Sequence, residues 1–148
     1  MDTARPAAAC PPVGQVRRLL LGEPRGSVGR SRAFALTALE DWGWLPAADR
    51  EGQELAGDVL LLVTELVTNA CLHAGGPNEL ALVSAGPAIR VEVSDGSREL
   101  PRLAAGQHPG IPSGHGLRVV DRLAADWGYA LHEHGKTVWL EVARRPGA

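Results

Sequence analysis

The chain has 148 residues, a length that fits one domain, because two independent hydrophobic cores need a longer chain. Hydrophobic residues make up 45% and charged residues 22%, which is typical of a globular domain. The net charge of −2 argues against a broad basic surface for direct contact with nucleic acid. The longest strongly apolar run, residues 59–63, is too short to cross a membrane, so we expect no membrane association.

The N-terminal residues 1–14 are rich in Ala and Pro and predict a disordered tail. The two cysteines are Cys10, in this tail, and Cys71, in an apolar segment. This placement argues against a disulfide framework, and we expect a cytoplasmic protein.

The domain is predicted to span residues 15–143. Its first half is predicted to contain a strand and two helices. Residues 16–21 predict a strand at a sheet edge. Ser27 is expected to cap a helix that ends at Gly43. A second helix is predicted for residues 53–74, followed by a Gly-Gly-Pro stop at residues 75–77.

The second half is predicted to contain two strand pairs with a helix between them. The strands of the first pair are expected at residues 80–84 and 89–94, joined by a turn at Gly86 and Pro87. Those of the second pair are expected at residues 129–133 and 136–142, joined by a turn at His134 and Gly135. A loop over residues 95–113 precedes the third helix, which follows Gly116. These elements predict an α+β fold: a two-layer sandwich with helices on one face of a mixed, mostly antiparallel sheet.

The tripeptide Gly135-Lys136-Thr137 does not form a P-loop. That motif needs a glycine at position 130, where the chain has Ala130. Lys136 is the only lysine, so a phosphate-binding lysine could only be this residue.

Two polar residues interrupt the apolar second helix. Glu65 and Asn69 are four residues apart and therefore lie on one face. A buried carboxylate is costly unless it is paired or used, and an amide oxygen suits a hard cation such as Mg²⁺. Taken alone, the helix slightly favours a structural interpretation, in which Glu65 pairs with an arginine and Asn69 satisfies backbone groups.

Two further polar segments follow the strands. Asp95 has the same parity as Ile89, Val91 and Val93, so it is expected on the helix-covered face, where its carboxylate could accept from an exocyclic amine. Gly96 would allow a tight turn or a close ligand. The segment Gly114-His115-Gly116-Leu117 begins a predicted helix, where free N–H groups can bind an anion.

In this order and spacing, the three segments resemble the GHKL superfamily of ATPases. Glu65-Leu66-Val67-Thr68-Asn69-Ala70 with His73-Ala74 is similar to its N box, Asp95-Gly96 to its first glycine box, and Gly114-His115-Gly116-Leu117 to its second. More narrowly, with Asp126-Trp127-Gly128 and residues 135–139, the chain resembles bacterial anti-sigma-factor serine/threonine kinases. The resemblance covers residues 17–142.

The resemblance implies a Bergerat-type sandwich that binds ATP and Mg²⁺ under a lid at about residues 97–113. Carried over by position, Glu65 would be the general base and Asn69 the Mg²⁺ ligand. Asp95 and Gly96 would bind adenine, and the segment Gly114-His115-Gly116-Leu117 would meet the phosphates.

The chain departs from the family pattern at two places. The first glycine box lacks its later glycines, since Asp95-Gly96 is followed by Ser97-Arg98-Glu99. Lys136 stands where a threonine often lies near adenine, and Thr137 has the parity that points away from the site. These departures bear on nucleotide affinity more than on the fold.

Three functions remain open at this point. The first is a serine/threonine kinase whose partner is a small protein, a sigma factor or an anti-sigma-factor antagonist. The second is a non-catalytic module in which ATP sets the conformation that holds a partner. The third is a detached histidine-kinase catalytic domain. A homodimer is also left open.

Overall fold

The computed structural model describes residues 14–73, 75–99 and 124–143. The elements in this part of the chain are β1 (Val16–Leu20), α1 (Ser27–Asp41), α2 (Arg50–His73), β2 (Pro77–Ala85), β3 (Ala88–Asp95), β4 (Asp126–His132) and β5 (Gly135–Ala143). The strands form one sheet in the order β1-β2-β3-β5-β4, and each neighbouring pair is antiparallel. The predicted α+β sandwich is confirmed, although the described strands form an antiparallel sheet rather than a mixed one.

Three predicted segments fall wholly or mostly outside the described residues. They are the N-terminal tail up to residue 13, the lid from residue 100 onward, and the third helix after Gly116.

The second helix starts earlier than expected and ends where expected. It begins at Arg50 rather than residue 53, because the Asp49 carboxylate accepts a hydrogen bond of 2.8 Å from the Gly52 N–H and caps the helix. At the other end, Gly75 has φ of +74° and the Gly76 N–H donates to the Ala70 carbonyl oxygen at 2.9 Å. This bond satisfies one of the last helical carbonyls and directs the chain into β2.

The first helix corrects the predicted role of Ser27. The capping position is Gly26, with φ of 75°, and Ser27 is the first helical residue. Its hydroxyl donates to the Pro24 carbonyl oxygen at 2.6 Å, so it ties the helix to the preceding turn instead of capping it. Gly43, with φ of 80°, follows the helix end as predicted.

The closing hairpin also differs by one residue from the prediction. Its turn is Glu133 and His134, because Gly135 already pairs with His132 in the ladder. Gly135 is therefore the first residue of β5, one position before Lys136.

The core lies between the helices and one face of the sheet. Its helical part comes from α1 and α2 and its sheet part from alternate residues of β2, β3 and β5, as in Val59, Leu62, Val67, Leu82, Val91 and Leu140. By length and composition alone, residues 50–72 could cross a membrane, since they contain an 18-residue window with a mean hydropathy of 1.6. In the structure α2 buries its apolar face in the core, and the expected lack of membrane association stays a prediction.

The opposite sheet face is less exposed than the alternation in β3 predicted. Arg90 lies on that face but is only 5% exposed. Its guanidinium pairs with Glu92 at 2.9 Å and Glu141 at 3.8 Å and lies 4.3 Å from the ring centre of Trp139. These partners offset its desolvation, so a charged side chain is buried where a solvated one was expected.

Candidate functional site

Glu65 and Asn69 lie one turn apart on α2, on a half-buried stripe beside the core. The side-chain oxygen of Asn69, Oδ1, is buried and has no hydrogen-bond partner. An unsatisfied buried acceptor costs free energy, so it is expected to find a donor or a cation. This orphaned oxygen fits the predicted role of Asn69 as a Mg²⁺ ligand.

The Glu65 carboxylate makes no hydrogen bond or ion pair within the described parts of the chain. The structural interpretation, in which an arginine pairs with Glu65, therefore finds no support there. Within residues 14–73, 75–99 and 124–143, no cation occupies the oxygens of this half-buried carboxylate.

A second carboxyl group lies two turns before Glu65 on the same face. Burial, together with the negative charge of Glu54, raises the pKa of Asp58 above its usual value. Because the folded-state pKa is the higher one, ionised Asp58 opposes folding at neutral pH, and this cost disappears as the pH falls below both pKa values. Asp58 and Glu54 are thus two acidic groups that precede Glu65 on α2 and affect each other.

Asp95 is the last residue of β3 and is 5% exposed. Its parity places it on the helix-covered face, as predicted, since its neighbours Val91 and Val93 belong to the core. In the ladder it lies opposite Pro77, which follows the end of α2 after three residues. The connection from α2 to β2 therefore brings the last turns of α2, with Asn69, to the same end of the domain as Asp95.

The Asp95 carboxylate is paired within the protein. Lys136 lies opposite Asp95 in the β3–β5 ladder, and its Nζ is 3.1 Å from Asp95 Oδ1. The Ser97 N–H donates to the same oxygen at 2.8 Å, in an Asx turn that holds the chain after β3. Sequence analysis did not place Lys136 in the site, although its position, where the family often has a threonine near adenine, was a signal that could have done so.

Thr137 faces the other side of the sheet, as its parity predicted. Its hydroxyl lies 2.9 Å from the Ser94 hydroxyl and 2.7 Å from His132 Nε2. Both partners belong to the face opposite Asp95, so Thr137 is not part of the site. The predicted phosphate-binding residues Gly114, His115, Gly116 and Leu117 lie outside the described residues.

Two glycines near Asp95 differ in what they contribute. A Cβ at Gly135 would lie 2.0 Å from the Asp95 carbonyl oxygen, so β3 and β5 could not approach each other at this point. Among the described residues, the atom nearest to a Cβ at Gly96 would be the His134 carbonyl oxygen, at 3.9 Å. The close approach of β3 and β5 beside the Asp95–Lys136 pair thus requires a glycine at position 135, which sequence analysis missed. Packing against the described residues does not require a glycine at position 96.

We expect Gly135→Ala to lower the stability of the domain by about 1–3 kcal/mol, the usual cost of forcing an atom into a packed position. Gly96→Ala is the matched control and should unfold at the wild-type temperature, because its new methyl group has room. Thermal unfolding of both variants measures the difference. Equal melting temperatures for the two variants would show that the close approach at Gly135 is not required.

None of the curated proteins matches the chain significantly. A family model described as the histidine kinase-like ATPase domain matches residues 25–142, a range that includes α1, α2, the strands β2 to β4, all of β5 except its last residue, and both Asn69 and Asp95. Because this match spans well over half of the sequence, the chain belongs to the histidine kinase-like ATPase domain family.

Proposed function

We propose that the protein is an ATP-dependent serine/threonine kinase that phosphorylates a small regulatory partner protein, of the kind that binds or antagonises a sigma factor. The observation that carries this proposal is on α2, where the orphaned amide oxygen Asn69 Oδ1 lies one turn after the Glu65 carboxylate, which has no partner among the described residues. Phosphoryl transfer needs mainly positioning and charge stabilisation, so one base and one metal ligand can suffice.

Each residue has a distinct part in the proposed reaction. The hydroxyl oxygen of the partner's serine or threonine attacks the γ-phosphorus, the bond to the bridging oxygen breaks, and ADP leaves. The Glu65 carboxylate takes the hydroxyl proton. Asn69 Oδ1 would hold Mg²⁺, which supplies positive charge against the phosphate oxygens.

Asp95 has the adenine-binding part in this proposal, with its carboxylate as acceptor for the exocyclic amine. Such a domain works where ATP is abundant, which agrees with a cytoplasmic location. The alternative of a non-catalytic module keeps the same nucleotide site and differs only in whether Glu65 is used.

Removing the amide of Asn69 tests the metal site. We expect Asn69→Ala to weaken ATP binding strongly when Mg²⁺ is present and only slightly in EDTA, because the lost group binds the metal rather than the nucleotide. Calorimetric titration of both proteins in both buffers gives the four affinities. The variant should also fold normally, since the deleted oxygen has no hydrogen-bond partner. An equal loss in the two buffers would make Asn69 a structural residue.

Replacing the carboxylate of Glu65 separates the kinase from the binding module. We expect Glu65→Gln to bind Mg-ATP as the wild type does and to lose about 10²–10⁴-fold in the rate of partner phosphorylation, because glutamine cannot accept the proton. Glu54→Gln, an exposed position on the same helix, is the matched control and should retain full activity.

The assay uses γ-labelled ATP and a partner captured from the native host in the presence of an ATP analogue and then purified. Acid treatment of the product distinguishes the acceptor, since phosphoserine and phosphothreonine survive acid and phosphohistidine does not. A wild-type protein that holds its partner but transfers no phosphate would overturn the kinase proposal in favour of the ATP-gated module. An acid-labile product would favour the detached histidine-kinase domain.

A further inference from the structure

Asp95 and Lys136 form an ion pair whose side chains are almost completely removed from solvent, at 4% and 8% exposure. Burying two charges costs free energy that their attraction offsets only when the remaining donors and acceptors are also satisfied.

Within the described residues, the pair has one donor and one acceptor that are not used in a hydrogen bond. Lys136 has three N–H groups, and its Nζ lies near two protein acceptors, Asp95 Oδ1 at 3.1 Å and the Ser97 carbonyl oxygen at 3.4 Å. Asp95 Oδ1 accepts from both Lys136 and the Ser97 N–H, whereas Oδ2 makes no hydrogen bond within the described parts of the chain. Among the described residues, one ammonium N–H of Lys136 and one oxygen of the carboxylate it contacts therefore have no partner.

We infer that Lys136 is a base-reading residue, which donates to the N1 atom of adenine while Asp95 Oδ2 accepts from the adjacent N6 amine. This assignment rests on the proposed ATP site and adds a residue to it. Adenine carries an amine donor next to a ring-nitrogen acceptor, which is the complement of the unused pair. N1 is the most basic ring nitrogen of adenine and so the best acceptor for an ammonium group.

The hydrogen bonds already made by the Asp95 carboxylate disfavour guanine. Guanine presents two neighbouring donors, N1–H and the N2 amine, and a carboxylate binds them with both of its oxygens. Here Oδ1 already accepts two protein hydrogen bonds, so only Oδ2 is available. Lys136 therefore favours adenine over guanine in two ways: it occupies one oxygen of Asp95, and it donates a hydrogen bond to N1 of adenine.

The test compares ATP with two analogues that each lack one ring nitrogen. 1-Deaza-ATP replaces N1 by a C–H group, and 7-deaza-ATP, the matched control, removes N7 and leaves N1 intact. Calorimetry on the wild-type protein with Mg²⁺ should show 1-deaza-ATP binding about 10- to 100-fold more weakly than ATP, the usual effect of losing a hydrogen bond to a charged group. 7-Deaza-ATP should bind as ATP does.

Lys136→Met removes the donor at similar length and should abolish the difference between ATP and 1-deaza-ATP. If this variant does not fold, because it leaves Asp95 buried without a cation, the wild-type comparison still decides. Equal wild-type affinities for ATP and 1-deaza-ATP would overturn the proposed role of Lys136. A folded Lys136→Met protein that still binds ATP more tightly than 1-deaza-ATP would overturn it as well. Neither result would contradict the proposed ATP site. A wild-type protein that binds no ATP at all would instead overturn the proposed function, and this inference with it.

Discussion

A buried ion pair at one end of the sheet connects the fold to the proposed chemistry. Asp95 and Lys136 come from two strands that lie side by side in the sheet but are separated by 41 positions in the chain. Their contact requires the register of β3 on β5, and this register requires a glycine at position 135, where a Cβ would meet the Asp95 backbone. The Asx turn to Ser97 then fixes the carboxylate. The position of one acceptor thus depends on the strand pairing and on a single glycine.

The second constraint is that α2 serves the core and the site at once. Its apolar side chains fill the space above β3 and β5, while Glu65 and Asn69 lie at the border of that core. A core helix is held rigidly by its packing, which suits groups that must meet a metal ion and a reacting hydroxyl in a defined geometry. The same packing leaves Asn69 Oδ1 without a partner. A ligand that satisfies this oxygen would relieve a cost already present in the free protein.

Much of this arrangement could be predicted from the sequence, and the failures have physical reasons. Parity along β3 was enough to place Asp95 on the helix-covered face, and the Gly75-Gly76 pair was enough to end α2, because both signals are local. The ion pair with Lys136 could not be predicted, since strand register depends on contacts distant in sequence. The burial of Arg90 was missed for a similar reason. Two of its partners, Glu141 and Trp139, lie on the neighbouring strand β5, and only Glu92 lies on its own strand.

The central claim, that the ammonium group of Lys136 is held by Asp95 within the nucleotide site, can be measured directly, because the chain contains one lysine. Protein labelled with ¹⁵N-lysine gives a single side-chain ammonium signal in a nitrogen-detected or proton–nitrogen spectrum. The account predicts that this signal is protected from solvent exchange and moves in Asp95→Asn. It also predicts a shift on addition of ATP in EDTA, but not on addition of inorganic triphosphate, which lacks the base. A freely exchanging lysine signal that ATP leaves unchanged would contradict the account.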